Sequence, residues 1–201
     1  TALFAFSDLE PLAGESGSVI WDIGANVGTM ALPVLASCPR AKVVAFEPSP
    51  DVCAKLLKNA LLNPRLNERL TVINCALSDS AGWVKFYASN ETNNSGVGGI
   101  GHAGNRVDVP VVTFAQPGSA CLKIAPMPDV IKIDVEGHEL SVLRGLGDIL
   151  DRRPLSIIFE HSVYRLKDFG LPPDAVIEFL GSRGFRITTL EGAVPANLAT
   201  D

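Results

Sequence analysis

The residues best suited to chemistry lie in Trp21-Asp22-Ile23-Gly24-Ala25-Asn26-Val27-Gly28 and at Glu47. Val19, Ile20, Trp21 and Ile23 make the apolar run of a strand. Gly24 and Gly28 bracket a turn in which the backbone can approach a ligand closely. Glu47 stands 19 residues after Gly28, at the end of a second apolar run, Val43-Val44-Ala45-Phe46. A glycine turn after a first strand, with an acidic residue about 20 positions on, describes a nucleotide-type cofactor site. That carboxylate can accept hydrogen bonds from two ribose hydroxyls. A pyrophosphate dinucleotide usually requires G-x-G-x-x-G, whereas the order here is Asp-x-Gly-x-Asn-x-Gly. Asp22 would repel a pyrophosphate and suits the cationic methionine end of S-adenosylmethionine. Two structural alternatives stand beside this reading: a glycine turn without a ligand, and Glu47 as a helix N-terminal carboxylate favoured by the dipole.

A second cluster comprises Lys132, Asp134, Glu136, His138 and Glu139. In a strand, Lys132 and Asp134 point to the same face. Asp134 would lie at the carboxyl end of its strand, where open parallel sheets bind ligands. A lysine within an apolar strand needs a partner, because an unpaired buried charge is expensive; Asp134 or Glu136 could serve. One outcome is a structural ion pair that fixes the loop. The other is a site where Asp134, Lys132 or His138 takes the proton of an acceptor hydroxyl. His138 has the most suitable ordinary pKa, and is equally well read as an exposed residue at a helix start. Glu160-His161 closes the next strand. With Asp134 it could hold a divalent ion, or both could line an acceptor pocket by hydrogen bonding. The metal-free reading is preferred, and no residue is assigned as a metal ligand.

These groups must be carried by a regular scaffold. Apolar runs predict strands at Ser18–Ile23, Lys42–Phe46, Thr71–Asn74, Val130–Asp134, Ser156–Glu160 and Phe185–Thr189. Helices are expected at Val27–Ser37, Pro50–Leu62, Leu140–Leu150 and Asp174–Arg183, the second with Ser49 as cap, Pro50 in its first turn and a stop at Asn63-Pro64. Alternation of strand and helix implies an α/β, doubly wound, mostly parallel sheet covered on both faces. Trp83–Tyr87 and Val107–Val111 interrupt it as an antiparallel excursion near 83–112, with the Asn-, Gly- and Ser-rich stretch Asn90–Asn105 at its tip. His102 in that stretch has no visible partner. One domain, 1–201, is expected, with a core at about 18–190 and an N-terminal segment 1–17.

Composition narrows the partners. Apolar residues make up 47% of the chain and charged residues 19%, so a sizeable core is expected. A net charge of −5 without basic runs argues against a nucleic-acid partner. No apolar stretch approaches the roughly 20 residues of a membrane helix, and residues 1–17 lack the pattern of a secretory leader. Cys38, Cys53, Cys75 and Cys121 form no C-x-x-C pair, which fits reduced thiols in a cytoplasmic protein. Oligomeric state has no signature in the sequence.

Taken in order, Asp22–Gly28, Phe46-Glu47-Pro48, Asn74-Cys75-Ala76-Leu77-Ser78-Asp79, Lys132–Glu139 and Val142-Leu143-Arg144-Gly145 resemble the successive motifs of FkbM-type methyltransferases. The resemblance runs from about Val19 to Ser162. It implies a Rossmann-like class I methyltransferase fold of seven strands, of which six are clear here, with Ala193–Leu198 as a weak candidate for completing it. It implies S-adenosylmethionine as cosubstrate and O-methylation of a small molecule or glycan hydroxyl. By the same resemblance, Gly24, Asn26 and Gly28 shape the turn under the methionine, Asp22 sits near its ammonium and Glu47 binds the ribose. Ala76 and Leu77 would contact the adenine, with Ser78 or Asp79 at its exocyclic amine; Asp79 reads equally well as a plain turn residue. The acceptor would be selected by the loops at Ser89–Arg106 and Ser162–Pro172, which include Tyr164, Arg165 and Lys167. Two other readings of the fold are a nicotinamide-dependent oxidoreductase and a non-catalytic binding module.

Overall fold

β1 (Val19–Ile23), β2 (Lys42–Phe46), β3 (Leu70–Ile73), β8 (Val130–Ile133) and β9 (Ser156–Phe159) form one sheet in the order β3-β2-β1-β8-β9. Every pairing in it is parallel. This is a computed structural model, and it describes residues 17–88, 96–97, 105–115, 125–152 and 154–190. The chain winds outward from β1 through β2 to β3, then returns to lay β8 on the other side of β1. The carboxyl ends of β1 and β8 therefore flank the point where strand order reverses, the usual crevice for a ligand in such sheets.

The continuous apolarity of these strands follows from cover on both faces. On one face, Ile20, Val43, Ala45 and Val130 pack with Ala31, Val34 and Leu35 of α1 (Ala31–Ser37) and Leu56 of α2 (Pro50–Leu61). On the other, Trp21, Ile23, Val44, Phe46, Ile131 and Ile133 meet Leu140, Val142, Leu143 and Leu146 of α4 (Glu139–Leu146) and Val176 and Leu180 of α6 (Ala175–Ser182). Trp21 anchors that second face. Its ring lies 4.8 Å from that of Phe114 and 5.3 Å from that of Phe46, and its Nε1 donates to the Pro126 carbonyl at 2.8 Å.

The antiparallel excursion forms a sheet of its own. β5 (Gly82–Ala88) pairs antiparallel with β7 (Asn105–Val112) and with β6 (Gly96–Val97). β4 (Ala76–Leu77) adds parallel to β7, giving the order β4-β7-β5-β6. The two residues expected at the adenine are therefore strand residues of this second sheet.

Four expectations change. The first helix starts at Ala31 rather than Val27, because Gly28 has φ 91° and cannot continue an α-helix. Residues 147–151 at the end of the third expected helix form a 3₁₀ turn. Phe185–Thr189 is not a strand: Phe185 and Ile187 turn to the core as alternation demands, yet no ladder pairs them with β9 among the described residues. Finally, Val163–Asp168, part of the expected loop Ser162–Pro172, is a short helix, α5. Ser49 caps α2 as expected, accepting from Val52 N at 3.4 Å, and Pro64 opens a further short helix, α3 (Pro64–Asn67). Asn90–Asn105 lies almost wholly outside the described residues, as do His102, Cys121, Ala193–Leu198 and nearly all of segment 1–17.

Gly145 shows how closely the layers meet. A Cβ there would collide with the Ser78 carbonyl, while the Gly145 carbonyl accepts from Phe114 N at 2.7 Å and Ala115 N at 2.9 Å. Gly145→Ala should therefore destabilise despite alanine's better helix propensity. Overpacking costs about 1–3 kcal/mol, which at about 2–4 °C per kcal/mol for a chain of this size lowers Tm by several degrees in a thermal melt.

Candidate active site

Where β1 ends, the chain turns at once: Gly24 N and Ala25 N both donate to the Phe46 carbonyl, at 3.0 and 3.1 Å. Asn26 sits at φ 51°, a left-handed conformation that asparagine tolerates better than most residues. Gly24 carries a constraint that spacing alone does not show. A Cβ there would collide with the Asp134 carbonyl, so the glycine lets the β1 turn and the loop after β8 touch backbone to backbone. Asn59 of α2 steadies the far side of the turn, its Nδ2 donating to the Val27 carbonyl at 2.9 Å. Nothing in the motif pointed to Asn59.

Glu47 is buried and faces this turn. Its Oε2 accepts from Asn26 N and its Oε1 from Ser49 N, both at 2.9 Å. Burial pushes its carboxyl above the ordinary range, and the two amide bonds pull it part of the way back. Each oxygen keeps a second lone pair, so capacity for a diol remains. Asn74 Nδ2 donates to the carbonyls of Glu47 and Pro48 at 2.7 and 3.0 Å, tying the end of β3 to the end of β2.

The partner of Lys132 is Asp22, not chiefly Asp134 or Glu136 as spacing suggested. The two are opposed across the β1–β8 ladder, and Nζ lies 2.9 Å from Asp22 Oδ1. Nζ also donates to the Gly24 carbonyl at 2.8 Å and stands 3.8 Å from Asp134 Oδ2. Local spacing along one strand could not show a partner on the neighbouring strand. Asp22 is 1% exposed. Its contact with Lys132 is an ion pair outside hydrogen-bond geometry, and neither carboxylate oxygen accepts a hydrogen bond from the described residues.

Beyond β8 the loop is held from inside. Glu139, buried at the start of α4, accepts from Gly137 N at 3.0 Å and Val135 N at 3.4 Å. Glu136 takes φ 54°, and its Oε2 meets Arg165 Nε of α5 at 3.2 Å. Asp134, Glu136 and Glu160 converge, each offering an oxygen within 4.8 Å of the others. That spacing could bridge a divalent ion, but Lys132 and Arg165 already bring positive charge to it; His161 is not in the group. Glu160 is pushed up to about 7 by burial, by the charges of Asp134, Glu136 and Glu139, and by a hydrogen bond to Asp134. His138 turns elsewhere. Its Nε2 lies 3.4 Å from Ser78 Oγ, and its ring packs edge-on to Phe169 at 5.4 Å. Burial lowers its pKa, so the imidazole is neutral at pH 7. His138 also borders a cavity of about 170 Å³ with Ala76, Leu77, Ser78, Trp83, Val84 and others.

A family model for the methyltransferase FkbM domain matches residues 22–187. The chain belongs to the FkbM methyltransferase family. It is 31% identical over 154 residues to hexuronic acid methyltransferase AglP of Haloferax volcanii, covering 77% of this chain and 60% of that one. It is 29% identical over 178 residues to 2-O-methyltransferase NoeI of Sinorhizobium fredii, covering 82% and 71%. Among solved structures, methyltransferase FkbM of Methylobacillus flagellatus aligns with TM-score 0.54 at 17% identity, over 83% of this chain and 36% of that one, and shows the shared fold. This FkbM domain thus spans 60% of the length of the Haloferax relative.

Two outcomes follow from the site's charges. Lys132→Met should strand the Asp22 carboxylate and cost about 3–5 kcal/mol. Adding Asp22→Asn should return part of that, a coupling a double-mutant cycle in urea would measure. The second concerns pH. Glu160 has a folded pKa of about 7 against an ordinary 4.5, so the stability its protonated form contributes is complete below about 4.5 and lost as pH rises through 7. Glu160→Gln should therefore gain stability relative to wild type between pH 5 and pH 8. A pH-independent difference would mean that Glu160 is ionised throughout.

Proposed function

We propose that this domain transfers a methyl group from S-adenosylmethionine to an oxygen of a sugar or other small molecule. The observation that carries the cosubstrate is Asp22: a carboxylate 1% exposed, paired with Lys132 but accepting no hydrogen bond from the described residues, at the crevice between the carboxyl ends of β1 and β8. Such a group calls for a donor from a ligand, and the methionine ammonium is one of the right charge. Gly24, Asn26 and Gly28 would shape the turn beneath it, Glu47 would take the ribose hydroxyls, and Ala76 and Leu77 would face the adenine. The bound sulfonium supplies an electrophilic methyl group.

The chain's own part is to bring up an oxygen and remove its proton. Asp134, with its side chain 38% exposed beyond β8, is the proton acceptor in this reading. Lys132 acts through Asp22 and Asp134 as a positioning residue, its ammonium buried and held by three oxygens. Glu160 is hydrogen-bonded to Asp134 and can carry the proton onward near neutral pH. The relatives named for hexuronic acid and for 2-O transfer favour a glycan hydroxyl as acceptor. The net charge of −5 favours it over a polyanion, and the buried thiols Cys38, Cys53 and Cys75 fit a cytoplasmic setting.

S-adenosylhomocysteine should raise Tm, and NADH should not. Glu47→Ala should weaken S-adenosylhomocysteine at least about tenfold, the scale of a hydrogen bond to a charged group. Asp134→Asn should keep that affinity and lose about 10²–10⁴-fold in kcat, read by mass spectrometry as a one-methylene gain on a glycan acceptor. Stabilisation by NADH alone, or full turnover in Asp134→Asn, would overturn the assignment.

A further inference from the structure

Asn59 lies on α2, outside every motif that carries the cosubstrate reading, yet its side chain reaches the turn after β1. Asparagine is a weak helix former in a helix interior, so its place there needs another reason. Its Nδ2 donates to the Val27 carbonyl at 2.9 Å, and Val27 N donates to Asn26 Oδ1 at 2.8 Å. Both backbone polar atoms of Val27 are therefore held by asparagine side chains. Gly28 N, next along the chain, donates to the Ala25 carbonyl at 3.0 Å.

The C=O of Val27 and the N–H of Gly28 belong to one trans peptide plane and point opposite ways. One bond holds the carbonyl toward α2, and the other holds the N–H inside the turn. Gly28 sits at φ 91°, and a flip of that plane would bring it to a negative φ, which glycine adopts as readily. Sterics at Gly28 do not choose between the two orientations, so the hydrogen bonds must. A flipped plane would break both bonds and open the turn. α2 is also anchored to the other half of the site, because Ser49, its cap, donates from its backbone N to Glu47 Oε1 at 2.9 Å. Glu47 Oε2 accepts from Asn26 N at 2.9 Å. The contacts thus close a ring that runs from Glu47 through the turn to Asn59 and back along α2. We infer that Asn59 is a positioning residue for the cosubstrate: its donation to the Val27 carbonyl locks the Val27–Gly28 peptide and presets the turn before the ligand arrives. This rests on the S-adenosylmethionine reading and extends it to a residue that touches no part of the ligand.

Asn59→Ala should weaken S-adenosylhomocysteine about five- to tenfold, the scale of one lost hydrogen bond. It should raise KM for S-adenosylmethionine more than it lowers kcat. Asn59→Asp keeps the shape but turns an acceptor toward the Val27 carbonyl, and should bind S-adenosylhomocysteine more weakly still. In the ligand-free protein, amide hydrogen exchange over residues 24–28 should be faster in Asn59→Ala than in wild type. Unchanged affinity in Asn59→Ala, even with a lower Tm, would make Asn59 purely structural and overturn the inference. So would Asn59→Asp binding as tightly as wild type, unchanged exchange over the turn, or a defect confined to kcat. Each of these leaves the cosubstrate reading intact. A wild-type protein that binds no S-adenosylhomocysteine would fail both.

Discussion

An ammonium buried in the middle of a parallel sheet is the constraint around which this site is arranged. Lys132 lies in a strand whose other residues are apolar, with 3% of its side chain exposed. Its charge is tolerable there only because Asp22 opposes it in register, with the Gly24 carbonyl and Asp134 close by. Those oxygens belong to the end of β1, the turn after it and the loop after β8. One cation therefore fixes three segments that would otherwise be joined only by a strand ladder. It also explains why the turn carries a glycine beside the Asp134 carbonyl, since the same closeness that allows the ion pair leaves no room for a Cβ.

The pairing leaves Asp22 with charge compensation, while neither of its oxygens accepts a hydrogen bond from the described residues. A buried carboxylate in that state can take a further donor, which in the proposed reading is the ammonium of a ligand. Glu47 contrasts with it. Both of its oxygens are already used by backbone amides, so it shapes the turn whether or not a diol is present. The loop after β8 is divided similarly. Glu139 and Arg165 hold its backbone and its Glu136, which leaves Asp134 and Glu160 as the pair facing outward.

Much of this was legible in the chain. The parallel strands were readable because burial on both faces demands unbroken apolar runs, and their ends fell within a residue of where Ile23, Phe46 and Ile133 end them. Composition marked the turn at Gly24–Gly28 and the acid at Glu47. Each failure has its own physical cause. Phe185–Thr189 has the alternation of a strand and its apolar residues reach the core, but alternation does not fix a ladder, and none to β9 forms among the described residues. Val163–Asp168 has only six residues, too few for helical periodicity to show. Lys132 was matched with residues on its own strand and loop because opposition across a ladder depends on register, which local spacing does not contain.

By itself, then, the sequence determined which strands are buried, where the glycine turn falls and that an acid follows the second strand, because those depend on local pattern and backbone sterics. The motifs also carried the family. Only the tertiary structure decided which carboxylate neutralises Lys132, that Ala76 and Leu77 belong to a second sheet, and that His138 faces Ser78 rather than the acidic cluster. Each of these is a contact between segments far apart in the chain, fixed by strand register and by how α4 seats against the second sheet.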